Sequence, residues 1–233
     1  MNQPWPQFDN PRGMLQCVRG VTQGRPEFDR LLRLFACAAA RVVWIYVPGG
    51  ACRRSVEVAE AFADGTATAD ALDPARAAAE RQAVIAVRGR PSAGWGAAYT
   101  AQTLASDAAS QTVGEVLNLF PTDQQQTAHN ARALGHLLAD LFGPYVESPG
   151  TTPDDPPGAV LAVRAFADDH QVRSAATQIY QENDFGELRL FGERLRAAGC
   201  RDSRVIDHCC GGRHARGSWV IDAVLVGWPL PTA

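Results

Sequence analysis

Cys200, His208, Cys209, Cys210 and His214 fall within fifteen residues of the segment AGCRDSRVIDHCCGGRHARGSWVID. Thiolate and imidazole are the ligands zinc prefers, and four of them close a tetrahedral shell. Cys200, His208, Cys209 and His214 are therefore the candidate metal ligands, and zinc is the candidate ion. The spacing departs from that of a zinc knuckle, because Cys209 and Cys210 are adjacent where paired ligands are usually two to four residues apart. The same residues allow nucleophilic chemistry. Cys209 or Cys210 beside His208 or His214, with Asp207 or Asp222 as orienting acid, completes a Cys–His–Asp set, although no local nucleophile signature accompanies it. A third reading buries the cysteines as small apolar residues and gives a histidine to a helix end.

Other reactive groups are sparser. His129 and His136 lie seven apart on a predicted helix, without the four-residue spacing and intervening Glu of a metalloprotease helix. Asp154-Asp155 and Asp168-Asp169 do not resemble a calcium loop; the first pair falls in a Pro-rich stretch and the second caps or interrupts a helix. Arg53-Arg54 and Arg88/Arg90 read as helix-surface charges, and Gly94-Trp95-Gly96 is too short for a phosphate-binding loop. All 22 basic residues are Arg, which excludes Schiff-base and P-loop chemistry that needs a lysine.

The elements that must position these residues read as helices. Phe28 to Tyr46 carries apolar residues at three- and four-residue spacing, ended by Pro48-Gly49-Gly50. Further helices are expected over Cys52–Ala63, from Asp73-Pro74 to about Val87, over Ala97–Ser110, and from Thr122/Asp123 to Phe142 ahead of Gly143-Pro144. The stretch ESPGTTPDDPPG, residues 147–158, reads as a linker between an N-terminal helical region (1–146) and a C-terminal one (159–233) that packs on it. Helices resume over Val160–Tyr180, with a break expected at Asp168-Asp169. They continue over Phe185–Ala198 with Gly199 as C′ residue and from Asp202 to Cys209; Ser218–Val226, a short β-branched apolar run, fits a helix or a buried strand and is read as helix from its context. Trp44 and Trp219 are expected in the core, whereas Trp5, Trp95 and Trp228 lie in Gly- or Pro-flanked segments. The fold class is all-α, an irregular bundle of about seven to nine helices without a fixed-period repeat.

Two stretches resemble a large paralogous family of planctomycete hypothetical proteins. LLRLFACAAARVVW followed by RRSVEVAEAFADGTAT is similar to that family's opening, in which LRLFACACCRRxW leads into RxAVEVAERYADGxAT. The segment from AATQIYQENDFGELRLFGERLRAAGC to HARGSWVIDAVL is similar to its ending, LAxxIYxxxxFxxLPxLADALExAGCxDxxILxHCRxxxxHxRGCWVVDLLL. The matching positions are Cys37, Trp44, Glu57, Ala59, Asp64, Gly65, Ile179, Tyr180, Phe185, Gly199, Cys200, Asp202, His208, Cys209, His214, Arg216, Gly217, Trp219 and Asp222. Together they span about a third of the chain, and LLADLFGP, ending at Pro144, echoes the family's LRDIFGNPF more weakly. This chain has Ala39-Ala40 where the pattern carries a Cys pair, and Ser218 where it carries Cys. The resemblance implies one helical domain built from both ends of the chain and singles out the His208/Cys209/His214 region; it implies no activity, substrate or cofactor.

A chain of 233 residues buries roughly 70–75% of its unfolded surface without the help of metal or disulfides. Its 46% hydrophobic and 20% charged residues are those of a globular protein, and a net charge of −3 argues against a phosphate-driven nucleic-acid binder. Met1–Pro11 lacks a basic region and an apolar run, and Leu31–Val47 is interrupted by Arg33 and Arg41. No secretory leader and no membrane span are therefore expected, which places the chain in the cytoplasm with its six cysteines reduced. The leading expectation is a non-catalytic helical protein-interaction or accessory protein. The alternatives are a small zinc-binding or thiol-dependent protein and a subunit of a larger assembly docked through its WPLPTA tail.

Overall fold

Asn10 and Pro11 start the first helix by the ordinary chemistry of a helix N-terminus. The Asn10 side chain accepts from the Gly13 N–H at 3.0 Å, and Pro11 occupies a position where a missing N–H costs nothing. The resulting helix, α1 (Pro11–Thr22), buries Met14, Leu15, Val18 and Thr22 on one face. The computed structural model describes Trp5, residues 7–85 and residues 91–225. Twelve α-helices and no strand are found among the described residues.

The all-α class holds, but the helix count exceeds the expected seven to nine, and for three local reasons. α1 was not foreseen. The region after the third predicted helix holds two helices, α5 (Pro91–Tyr99) and α6 (Ala105–Leu117). The segment predicted over Val160–Tyr180 divides at Asp168-Asp169, as its acidic pair suggested. No helix among the described residues is long and apolar enough to cross a membrane.

Contacts group the described residues into two units, the first covering residues 7–135 and the second residues 136–225 together with Trp5. The first unit is arranged around α2 (Asp29–Val42), which is buried continuously from Leu31 to Ala40. Against it pack α3 (Ala51–Ala63), α5 (Pro91–Tyr99) and α6 (Ala105–Leu117), with α4 (Leu72–Ile85) lying on α3 and α5. The long N-terminal helix stops at Val42, and Trp44–Tyr46 forms a 3₁₀ turn. Trp44 is only half-buried there, lying between the guanidinium groups of Arg41 and Arg53 at 4.6 and 5.1 Å. Gly94 and Gly96 lie inside α5, where the helix approaches its neighbours: a Cβ on Gly94 would come within 3.0 Å of the Ala83 Cβ.

Arg33 of α2 is buried and carries its charge inward. Its guanidinium donates to the carbonyl oxygens of Thr100, Gln102 and Thr103 at 3.0, 2.8 and 3.1 Å, just beyond the end of α5. Among the described residues no backbone donor is seen for those carbonyls, so one forked cation serves three acceptors at the helix end, of which that of Thr100 is buried.

α7 (Gln124–Glu147) begins after Asp123, whose carboxylate accepts from the Gln126 N–H at 3.0 Å. It runs five residues past the predicted stop at Phe142, carrying Pro144 within it. The second unit comprises its later part together with α8 (Gly158–Arg164), α9 (His170–Glu182), α10 (Leu188–Ala197), α11 (Ser203–Cys210) and α12 (Trp219–Leu225). The Pro-rich stretch 147–158 lies inside this unit as a folded turn. Thr152 N–H donates to the Asp155 carbonyl at 2.9 Å, Asp155 N–H donates to the Thr152 hydroxyl at 2.9 Å, and Pro156 and Pro157 are buried.

Val163, Leu188, Phe191, Leu195 and Val220 form the centre of the second unit's core. Fully burying side chains of this size contributes about 1.5–3 kcal/mol each. α10 lies close against α11 because Gly192 faces Cys209. A Cβ on Gly192 would sit 2.7 Å from the Cys209 Cβ, an atom fixed to the backbone that cannot swing away. Gly192→Ala is therefore expected to lower stability by about 1–3 kcal/mol. Gly20→Ala, at a helical position with open space around it, should be neutral or mildly stabilising. Thermal unfolding of the two variants beside the parent checks the contrast.

Candidate functional site

Asp140 sits in α7 with its side chain 1% exposed. The flanking residues Leu137, Leu138, Leu141 and Phe142 are all buried, so the helix carries a carboxyl group into an apolar layer. An ionised carboxylate in such a place is unfavourable unless hydrogen bonds replace its water.

Four donors do so. Asp140 Oδ1 lies 2.9 Å from His208 Nε2 and 2.8 Å from His214 Nδ1, and it accepts from the Ser218 hydroxyl at 2.7 Å. Oδ2 accepts from the Ala215 N–H at 2.9 Å. The donors come from 68 to 78 residues away in sequence, on α11 and the turn that follows it.

Local rules explain how that segment reaches Asp140. Asp202 caps α11 by accepting from the Arg204 N–H at 3.0 Å, and His208 lies in the helix's last turn. The chain then turns through Gly212 and Gly217, whose φ values of +81° and +91° favour glycine. Ser218 stands one residue before α12, with its carbonyl accepting from the Asp222 N–H at 2.9 Å; its hydroxyl goes to Asp140 instead of capping its own helix. Trp219 closes the site: its ring is 4.9 Å from the His208 ring, which lies 5.0 Å from that of His214. Arg216 lies over the Tyr180 ring at 4.5 Å and donates to the Tyr180 carbonyl at 3.1 Å.

Burial works to raise the Asp140 pKa, but the hydrogen bonds from His208 and His214, helped by their charges, outweigh it and hold the carboxyl below its ordinary value. His136, one helical turn earlier on α7, is held below the usual imidazole range by burial and by the charges of His214 and Arg213. Pro144 has no N–H to give to the Asp140 carbonyl, so the backbone at Asp140 also lacks its usual helical donor.

Of the four sequence-predicted ligands, His208 and His214 meet at this carboxylate. Among the described residues, the group of three His, Cys, Asp or Glu side chains with ligand atoms within 4.8 Å of one another is Asp140, His208 and His214. Cys200 is buried in the second unit's core, and Cys209 is buried against Gly192. Burial pushes the Cys209 thiol up to about 12, with Cys210, Asp140 and Cys200 adding to the effect. A thiol so protonated is a poor nucleophile, which removes the basis for the Cys209–His–Asp reading. Cys210 and Asp207 are exposed, and the acid that holds both histidines is Asp140.

The other candidates have local roles. His129 and Asp154-Asp155 are exposed, and Asp169 caps α9 by accepting from the Gln171 and Val172 N–H groups at 2.9 and 3.0 Å. Arg54 pairs with Glu57, and Arg53 reaches Trp44. Arg88, Arg90 and Trp228 lie outside the described residues.

Asp140 was missed from sequence because a lone acid among leucines carries no metal-ligand spacing. Its one signal was LLADLFGP, where it is the only charged residue. No protein-family model, curated protein or solved structure matches the chain.

Removing the acceptor strands four donors, so Asp140→Ala is expected to cost about 3–5 kcal/mol in urea unfolding, and Ser218→Ala about 1–3 kcal/mol. Since folding depresses the Asp140 pKa, its stabilisation is complete above the unfolded carboxyl value of about 4 and is lost as pH falls through the lower folded value. The urea midpoint should accordingly drop on acidification below about pH 4, with a smaller drop in Asp140→Asn. In thiol labelling of the native protein, Cys210→Ser should remove a reacting group, whereas Cys209→Ser should change nothing until the protein unfolds.

Proposed function

We propose that the chain is a non-catalytic helical protein-interaction or accessory protein, acting in the cytoplasm on a protein partner. The observation that carries this reading is a set of exposed large apolar side chains on the first unit. Ile45 and Ile85 are 80% and 81% exposed, and Tyr46 and Val84 are exposed beside them. The two pairs sit on chain segments that both pass near Gly94. Val84 and Ile85 directly follow Ala83, Tyr46 shortly precedes Pro48, and Ala83 and Pro48 lie 3.0 and 3.5 Å from where a Gly94 Cβ would sit. The turn bearing Ile45 is held by Trp44 between Arg41 and Arg53, so little ordering entropy is lost when a partner covers it. Exposed large apolar side chains of this kind favour an apolar-faced partner, such as an amphipathic helix.

The Asp140 site fits the non-catalytic part of the reading. A general base needs a free oxygen facing a substrate, and here both oxygens are engaged by groups of the same chain. Membership of the planctomycete family is part of the proposal. It rests on the motif residues, and it is supported by the way His208, His214, Arg216, Gly217 and Trp219 each serve the turn around Asp140.

The test is the double variant Ile45→Glu/Ile85→Glu beside the parent chain, in affinity capture from native extract and in light scattering. A protein retained by the parent at near-stoichiometric ratio and lost from the folded double variant is the expected outcome, corresponding to a loss of at least about 2 kcal/mol of binding. Equal retention by both chains would overturn the assignment of this surface.

A further inference from the structure

We infer that Asp140, His208 and His214 form a three-ligand site for a divalent transition cation of the zinc class. The ligand atoms are Asp140 Oδ1, His208 Nε2 and His214 Nδ1, all within 4.8 Å of one another. Two imidazoles and one carboxylate are a donor set that suits zinc and its borderline neighbours. Magnesium and calcium prefer oxygen alone, and soft monovalent copper prefers thiolate or thioether. Three protein ligands leave a position for solvent.

The surroundings are those of a built site. Asp140 Oδ2 is tied to the Ala215 N–H, and the Ser218 hydroxyl holds Oδ1, so the carboxylate is oriented by groups that are not themselves ligands. The His208 ring is fixed in orientation against Trp219. Exposure grades outward across the site, at 1% for the Asp140 side chain, 8% for His214 and 16% for His208. The anionic ligand is therefore innermost and the imidazoles stand toward the entrance.

The ligands come from α7, from the last turn of α11 and from the glycine-bounded turn beyond it, so an ion would join segments distant in the chain. The same three atoms explain a metal-free cluster if each imidazole directs an N–H at the oxygen. Ion binding requires those two nitrogens to present lone pairs, with each ring proton on the opposite nitrogen. The thiols have no part in the site, since Cys209 packs on Gly192 and Cys200 lies in the core.

Cobalt(II) is the probe, because its visible bands report ligand type where zinc is silent. Full-length protein stripped with chelator is titrated with Co²⁺ and followed by absorption, with bound metal measured after gel filtration. The expected result is one Co²⁺ per chain, with intense visible bands and no thiolate-to-cobalt charge transfer. Cys209→Ser should bind as the parent does, and His208→Ala/His214→Ala should bind about 100-fold more weakly or not at all. Folded parent protein that takes up no Co²⁺ in excess would overturn the inference, as would a thiolate charge-transfer band that disappears in Cys209→Ser. Should the histidine variants unfold, the parent spectrum and stoichiometry alone decide between these outcomes.

Discussion

A carboxylate with 1% of its side chain exposed governs the second unit. Taken from water without partners, such a group would protonate or unfold its surroundings. Four donors answer it, and supplying them fixes the path of the chain from His208 to Ser218. The cap at Asp202, the positive φ of Gly212 and Gly217 and the placement of Ser218 ahead of α12 all follow from the need to bring two rings, one hydroxyl and one amide to a single point. The Ser218 hydroxyl donates to this carboxylate at 2.7 Å, a contact that a thiol, a weak donor, would make less well.

The first unit contains the opposite problem. Arg33 is a buried cation, and it is answered mainly by three carbonyl oxygens at the end of α5. The planar fork of the guanidinium reaches all three, which an ammonium on a flexible stem would do less well. In a chain whose basic residues are all arginine, the same forked grip recurs at a part-buried position. Arg41 grips Glu60 with two nitrogens at 2.6 and 2.7 Å while lying over Trp44.

Much of the helical pattern was legible because helix signals are local. Asp202, Gly199 and the acidic pair at Asp168-Asp169 were read as caps and breaks, and each acts as one. Asn10-Pro11 carried the same information and was overlooked. Pro144 misled because proline usually ends a helix, yet α7 tolerates it and continues to Glu147. Pro156 and Pro157 fall in the stretch read as a linker, and both are buried, which composition alone does not reveal. The candidate site was half legible. His208 and His214 stood out by residue type and by resemblance to a motif, whereas their partner lies in another helix, and no spacing rule connects residues 68 apart. The thiols stood out for the same reason of type, and burial gives them a different place.

The long sequence separation of Asp140 from its donors has a kinetic meaning. Closing a loop of 68 residues or more loses chain entropy that only the finished contact repays. Helices α8 to α11 pair mainly with neighbours near in sequence, so the entropy of loop closure is expected to bring the carboxylate to its histidines late in folding. Interactions formed that late have little influence on how fast a chain folds and a large one on how fast it unfolds. On that expectation Asp140 and its donors act as a latch on the lifetime of the folded second unit more than on the speed of its assembly.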